Sequence, residues 1–274
     1  MLLIRLILVY FLLAGAGVRP QTLPRPAYLG FDRNGYPGDN NLKVLRQTFS
    51  YVGYWLNNPP GENINGWKGK RAVLGAAGFG YLVLFNGRLH RELISGNAEG
   101  LARGDATEAT KAARSEGFPP GTVIFLDIEE GGRMLPEQKA YIYGWVDAVV
   151  SAGYRAGVYC SGIPAPEGKL AIVTAEDIRE NAHGRKITYW ITNDMCPPSP
   201  GCAFPHEPPK PTAGGVAFAS VWQFAQSPRR KDFSRGCPAN YHRDGNCYPP
   251  GVDPNQHLHL DVDTANTPDP SHGK

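Results

Sequence analysis

The sequence predicts an α/β fold, an irregular TIM-type (β/α) barrel whose last helices are replaced by disulfide-stapled loops. Three observations lead there. Apolar strand-like runs alternate with helical patterns over the first two thirds of the chain, which favours a parallel sheet. Eight such runs can be counted, and eight favour a closed barrel over an open sheet. In the final third the strands continue without helices between them, through Pro- and Gly-containing segments that hold Cys196, Cys202, Cys237 and Cys247.

The elements follow in order. Residues 27–32 form the first strand run, and a helical pattern lies near 41–49. Residues 51–55 and 81–85 are the second and third runs. Asp105 reads as an N-cap with Glu108 at the capping-box position. Ala106, Ala109, Ala112 and Ala113 then give one small-residue face, and Gly117 ends that helix. Residues 122–128 are the fourth run, apolar on both faces up to its carboxylates, as a parallel strand covered on both sides requires. Pro136 opens a helix to Ser151, with Tyr141, Trp145 and Val149 on one side and Gly153 as the stop. The fifth run is 155–160. A short helix over 176–182 follows, with Thr174 as its cap, and 187–192 is the sixth run. The seventh and eighth runs are 216–224 and 257–263, reached through the loops 194–215 and 226–256.

Composition narrows the function classes. The chain has 274 residues, 42% of them hydrophobic, enough for one domain with a sizeable core. Only 19% are charged and the net charge is +3, so a strongly basic nucleic-acid-binding face is not expected. Residues 1–16 read as a signal peptide: Arg5, an apolar run over 6–13, then Ala14-Gly15-Ala16 as the small-x-small cleavage site. The apolar run is shorter than the roughly 20 residues of a membrane span. The expectation is therefore a secreted, periplasmic or cell-envelope protein of a bacterium, with no membrane anchor after cleavage. A linker over 17–26, a barrel domain over 27–264 and a flexible tail over 265–274 complete the organisation. Export permits disulfides. Cys196 and Cys202 flank one Pro-rich loop and Cys237 and Cys247 another, so local pairs are the simplest reading, although four cysteines allow three connectivities. Cys160, in a strand pattern, is expected as a buried free thiol. No C-x-x-C spacing is present, so no metal is expected there.

Carboxylates collect at the ends of three strands, where a barrel of this kind carries its reactive groups. Asp32 ends the first, Asp127 and Glu129 the fourth, Asp261 and Asp263 the last. Strand residues two apart share a face, which puts the Cα atoms of Asp127 and Glu129 roughly 6.6 Å apart. Closure of the barrel makes the first and last strands neighbours, so Asp32 should lie near Asp261. Crowded carboxylates push at least one pKa upward, and glycoside hydrolysis needs one protonated and one ionised carboxyl. Glu129 has the longer reach and lies nearer the mouth, which suits it to the acid role. Asp127 would hold Glu129 or orient substrate, and Asp32 and Asp261 would stabilise positive charge on the sugar ring. Tyr159, Trp190 and Trp222 offer aromatic faces for sugar rings, and Gln223 a hydroxyl partner. His257 and His259 alternate with Asp261, a spacing that can also bind zinc; buried core histidines are the better-supported reading.

The ordered set Gly30-Phe31-Asp32, Leu126-Asp127-Ile128-Glu129, Gly157-Val158-Tyr159, Trp222-Gln223-Phe224 and Asp261-Val262-Asp263 resembles the family-25 glycoside hydrolases. These are muramidase-type lysozymes whose barrel loses its helices after the fifth repeat. Gly104-Asp105-Ala106 before an alanine helix, and Pro119-Pro120-Gly121-Thr122 leading into the Asp-x-Glu strand, are similar to the related bacterial domain of unknown function 1906, which is glycoside-hydrolase-like. The resemblance spans residues 28–263. It implies Glu129 as acid/base, Asp127 as its partner, Asp32 and Asp261 as the first- and last-strand aspartates, and Asp263 at a position where asparagine or aspartate is common. The chain departs from the pattern at Glu130-Gly131-Gly132 and in the long loop 226–256, basic at Arg229-Arg230-Lys231. The expected function is hydrolysis of a cell-wall polysaccharide of the peptidoglycan type, without a cofactor. The alternative is a non-catalytic envelope protein that binds glycan in an enzyme-like cleft.

Overall fold

A computed structural model describes residues 26–195, 199–234 and 240–274. The expected signal segment, residues 17–25 of the linker, Cys196 and Cys237 lie outside the described residues. The strands are β1 (Tyr28–Asp32), β2 (Tyr51–Trp55), β3 (Gly80–Asn86), β4 (Val123–Asp127), β5 (Arg155–Ser161), β6 (Ala165–Glu167), β7 (Leu170–Ile172), β8 (Ile187–Thr192), β9 (Val221–Ala225) and β10 (Asp261–Ala265). The helices are α1 (Leu42–Leu45), α2 (Arg71–Ala76), α3 (His90–Leu93), α4 (Ala98–Ser115), α5 (Pro136–Ser151), α6 (Thr174–Glu180) and α7 (Lys231–Ser234). Eight strands close a barrel in the order β1-β10-β9-β8-β5-β4-β3-β2, and β6 and β7 form a separate hairpin. The expected closed barrel is present, with short single-turn helices and loops in place of full helices after β8.

The last strand corrects the sequence reading. It begins at Asp261 and runs antiparallel to both β1 and β9. His257 caps a 3-10 turn with a left-handed φ of 48°, which interrupts the two-residue alternation before the strand begins. His257 is exposed and His259 half-buried, both before the strand, so neither faces the barrel interior with Asp261. Among the described residues no cluster of three or more His, Cys, Asp or Glu side chains is suited to a metal ion.

Two helix starts also differ. Asp105 does not cap α4, which begins seven residues earlier, at Ala98. It is buried in the middle of the helix, where it accepts Arg88 Nε and Nη2 at 2.6 and 2.7 Å and the Tyr141 hydroxyl at 2.6 Å. Tertiary partners thus satisfy an acid whose local spacing mimics a capping box. Of the expected alanine face, Ala106, Ala109 and Ala113 are buried and Ala112 is partly buried; Ala102 joins the buried ones, and Gly144 of α5 packs against it. Thr174 lies inside the first turn of α6 and not before it; its hydroxyl accepts Gly132 N at 2.8 Å and donates to Gly132 O at 3.1 Å, pinning the loop after β4.

Glycines make room for large rings inside the barrel. A Cβ on Gly30 would lie 2.1 Å from the Tyr51 ring, and one on Gly157 would lie 2.4 Å from Phe125. Neither ring can retreat, because both are fully buried. Gly30→Ala should therefore destabilise the fold by about 1–3 kcal/mol through overpacking. Urea unfolding checks this, and an unchanged midpoint would show that Tyr51 has room to move.

The disulfide pairing departs from the local one expected. Cys202 bonds to Cys247, with Cα atoms 5.3 Å apart and a separation of 45 positions in sequence. The bridge ties the loop after β8 to the loop after β9 and closes neither by itself. The second loop folds back over the first, as shown by Cys202 N donating to Asn240 O at 3.2 Å. Cys160 is buried and free, as expected. The C-terminal residues expected as a flexible tail are instead held beneath the barrel. Tyr81 N donates to Asp269 Oδ1 and Val83 N to Ser271 Oγ, each at 2.8 Å, while Ser271 exchanges backbone bonds with Tyr81 and Val123. β3 begins at Gly80 but pairs with β4 only from Val83 onward, and the tail supplies the acceptors on that side.

Candidate active site

Strand direction decides which acids meet. β4 delivers Asp127 at its last residue. Ile128 N still donates to Tyr159 O at 3.0 Å, so the extended backbone continues by one more step. Asp127 and Glu129 consequently share a face, with Asp127 buried beneath and Glu129 exposed at the mouth. In the antiparallel pair β1–β10, Asp32 lies directly opposite Asp261, and Gly30 opposite Asp263. The start of β10 is therefore at the same barrel end as the finish of β1 and β4. The expected neighbourhood of Asp32 and Asp261 is present, reached by an antiparallel strand.

Gln223 organises the acids from β9. Its Nε2 donates to Asp32 Oδ1 at 2.9 Å and to Asp261 Oδ2 at 3.4 Å. Its Oε1 accepts the Tyr159 hydroxyl at 2.8 Å and Gln226 Nε2 at 2.9 Å. Asp261 Oδ1 also accepts Ser227 N at 2.5 Å, and Trp190 Nε1 donates to Asp263 Oδ1 at 3.1 Å. Asp127 Oδ1 is buried with no hydrogen-bond partner among the described residues.

Burial dominates the electrostatics. It raises the Asp32 carboxyl to about 6, against the opposing Gln223 hydrogen bond. Asp127 is raised well above the usual range by burial, then by the charges of Glu129 and Asp32. Asp261 and Asp263 are raised in the same way, by burial first and by Asp32 next. Glu129 is raised too: the walls around it outweigh the pull of the Arg230 guanidinium. A protonated carboxyl at a barrel mouth above a bed of acids can act as a general acid.

Glu129 opens into a cleft of about 430 Å³. Tyr159, Ser161, Thr192, Gln226 and Arg230 supply the rest of its polar lining, and Ala165 and Pro166 of the hairpin form one side. Arg133 anchors that hairpin through two 2.7 Å bonds to Glu167. Hollows of about 590 and 600 Å³ elsewhere, between α4 and α5 and beneath β5 and β8, contain none of the strand-end acids.

Of the residues expected to touch substrate, Tyr159 lines the cleft and four do not reach it. Trp190 is 1% exposed and stacks beneath Tyr159, ring centroids 4.5 Å apart. Gln223 and Asp263 are sealed beneath with it. Trp222 is fully buried on the opposite face of β9, its Nε1 donating to Asn193 O at 2.9 Å. Adjacent strand residues point to opposite faces, so Trp222 and Gln223 cannot both face the mouth. Gln226, Thr192, Ser161 and Arg230 are cleft residues that sequence reasoning did not single out. Only Arg230 left a signal, the basic run in the loop that follows β9.

A family model described as "Rv2525c-like, glycoside hydrolase-like domain" matches residues 51–195. No curated protein matches the chain. Among solved structures it is similar to an uncharacterized B. stearothermophilus protein, with 18% identity, 87% of this chain and 95% of that chain covered, and a TM-score of 0.54. It is also similar to the Mycobacterium tuberculosis Tat-secreted protein Rv2525c in two crystal structures. In the complex with HEPES the identity is 14%, the coverage 89% and 96%, and the TM-score 0.50. In the complex with L-tartrate the values are 13%, 87% and 94%, and 0.51. At these identities the likeness is one of fold.

Proposed function

This chain belongs to the Rv2525c-like, glycoside hydrolase-like domain family, and on that footing we propose that it is an extracytoplasmic glycoside hydrolase acting on cell-wall glycan of the peptidoglycan type. One observation carries the reading: Glu129, its proton affinity raised by burial, stands in an open cleft above Asp127, Asp32 and Asp261. In the proposed step Glu129 gives its proton to the glycosidic oxygen as the C–O bond breaks. Water supplies the hydroxyl that completes the new reducing end, and its proton restores Glu129. Asp127, Asp32 and Asp261 act from beneath. Any negative charge they share favours the positive ring of the transition state. The step uses no cofactor. Rv2525c is a Tat-secreted protein, which accords with the export signal read in residues 1–16.

One observation favours a second reading, a non-catalytic glycan-binding envelope protein: Asp32 and Asp127 are 5% and 4% exposed, so Glu129 is the carboxyl that a ligand in the cleft meets first. Incubation of the folded protein with cell-wall sacculi and with several polysaccharides, followed by assay of new reducing ends, separates the two. Release from sacculi is expected. Its absence from every glycan, with binding retained, would leave the binder.

A further inference from the structure

The cleft opens at the strand finishes, beside Ser161 and Thr192. At the opposite barrel end, where β5 and β8 start, lies the hollow of about 600 Å³. Four cations line it, Arg155, Arg179, Arg185 and Lys186, and no carboxylate does. Two of the four are engaged. Arg185 gives Nε and Nη2 to Asp147 at 2.8 Å each, and Arg179 lies over the Phe218 ring, 4.2 Å from its centroid. Asp147 is the one carboxylate bound to any of them among the described residues, so three positive charges are left around one hollow. The whole chain carries a net charge of only +3, so this is a local concentration and not a generally basic surface. A hollow walled by one sign of charge focuses the field within it and draws counter-ions.

Arg155 and Lys186 are exposed, and their side chains make no hydrogen bond or ion pair among the described residues. Strand register sets them side by side. Ala156 pairs with Ile187, so Arg155 and Lys186, one step earlier, lie on neighbouring chains about 5 Å apart. Like charges that close repel, and an anion seated between them is attracted by both. Tyr189 adds an independent observation. It lines the same hollow and is 5% exposed, and its hydroxyl is buried without a hydrogen-bond partner among the described residues. A buried hydroxyl left in that condition is costly unless something accepts its proton. A carboxylate brings two oxygens and one charge. A phosphate ester brings three terminal oxygens and up to two charges. It can therefore meet the Arg155 fork, the Lys186 ammonium and the Tyr189 hydroxyl together. We propose that this hollow is a second binding site, for the phosphoryl group of a phosphate ester. It stands apart from the cleft and does not depend on the glycan reading.

The full chain is titrated at fixed ionic strength with inorganic phosphate, glycerol 3-phosphate and acetate, and binding is read by calorimetry and by amide shifts. Both phosphates should bind about 10- to 100-fold more tightly than acetate, the gain expected from one more charge-assisted bond. Their shifts should centre on Arg155, Lys186 and Tyr189. Arg155→Gln combined with Lys186→Gln should weaken phosphate binding by at least the same factor. Both side chains are exposed, so the urea midpoint of that double variant should stay at the parent value. Tyr189→Phe should weaken binding about 2- to 10-fold, the worth of one hydrogen bond. Lys43→Gln, which removes an exposed cation on α1, should change nothing. A further arm sediments the chain with phosphatidylglycerol vesicles. Cosedimentation that the double variant loses assigns the phosphoryl group to a lipid headgroup, and binding of the soluble esters alone assigns it to a free ester. Equal binding of acetate and phosphate overturns the proposal, as does a double variant that binds phosphate like its parent. No binding of either phosphate at millimolar concentration also overturns it, and leaves the cleft and its reducing-end assay untouched.

Discussion

Replacing Glu129 by Gln should lower glycan turnover about 10²–10⁴-fold, the usual contribution of a general acid. That corresponds to roughly 3–5 kcal/mol of transition-state stabilisation. Gln fills the same volume and still donates and accepts hydrogen bonds, but it has no proton to give to a leaving oxygen. The fold should not notice, because Glu129 is exposed at the mouth and no element end depends on it. Sacculi should therefore bind the variant as well as they bind the parent. A loss confined to kcat, with KM nearly unchanged, is the signature of an interaction made in the transition state. Were parent and variant to release reducing ends at the same rate, Glu129 would not be the acid and the enzymatic reading would lose its centre.

How much of this site was legible depends on which property of the chain carries each part. The alternation of apolar runs has period two in strands, and it located eight strands and the acids at their ends. A period of two carries no direction, however. The acids of β10 read the same whether they finish a parallel strand or start an antiparallel one. Asp32 and Asp261 therefore came out as neighbours while the strand between Asp261 and Ala265 was placed too early. The same period, applied residue by residue, separates Trp222 from Gln223; treating Trp222-Gln223-Phe224 as one motif hid that. Asp105 misled because a capping signal is local and its real partners, Arg88 and Tyr141, are 17 and 36 residues away. The disulfide and Arg230 depend on how two long loops lie on one another, and no local pattern encodes that. Arg230 was visible as part of a basic run, but its contact with Thr192, 38 residues earlier, was not.

The buried acids should also make the fold more stable in mild acid than at neutral pH. In the unfolded chain an aspartate ionises near 4, whereas folded Asp32 holds its proton up to about 6. Between those values the folded protein binds more protons than the unfolded chain, so stability falls as pH rises through the window. For Asp32 alone the loss is on the order of 3 kcal/mol by the time both states are ionised. Asp127, Asp261 and Asp263, all raised by burial, extend the decline in the same direction. Opposing groups such as Asp39, Asp244 and Glu167, lowered by their hydrogen bonds, are exposed and act only at more acid pH. Urea midpoints taken from about pH 4.5 to 7.5 should therefore fall steadily. Asp127→Asn should flatten that fall and raise the midpoint at neutral pH, since Asp127 Oδ1 gives up no hydrogen bond when the carboxyl goes. The same change should slow turnover, because it removes a carboxyl placed beneath the positive ring of the transition state. A variant more stable and less active than its parent would show that the acids under the cleft are retained at a cost to the fold. A midpoint that stays flat or rises between pH 4.5 and 7.5 would mean that the interior of the barrel solvates these carboxylates after all, and the bed of protons beneath Glu129 would have to be abandoned.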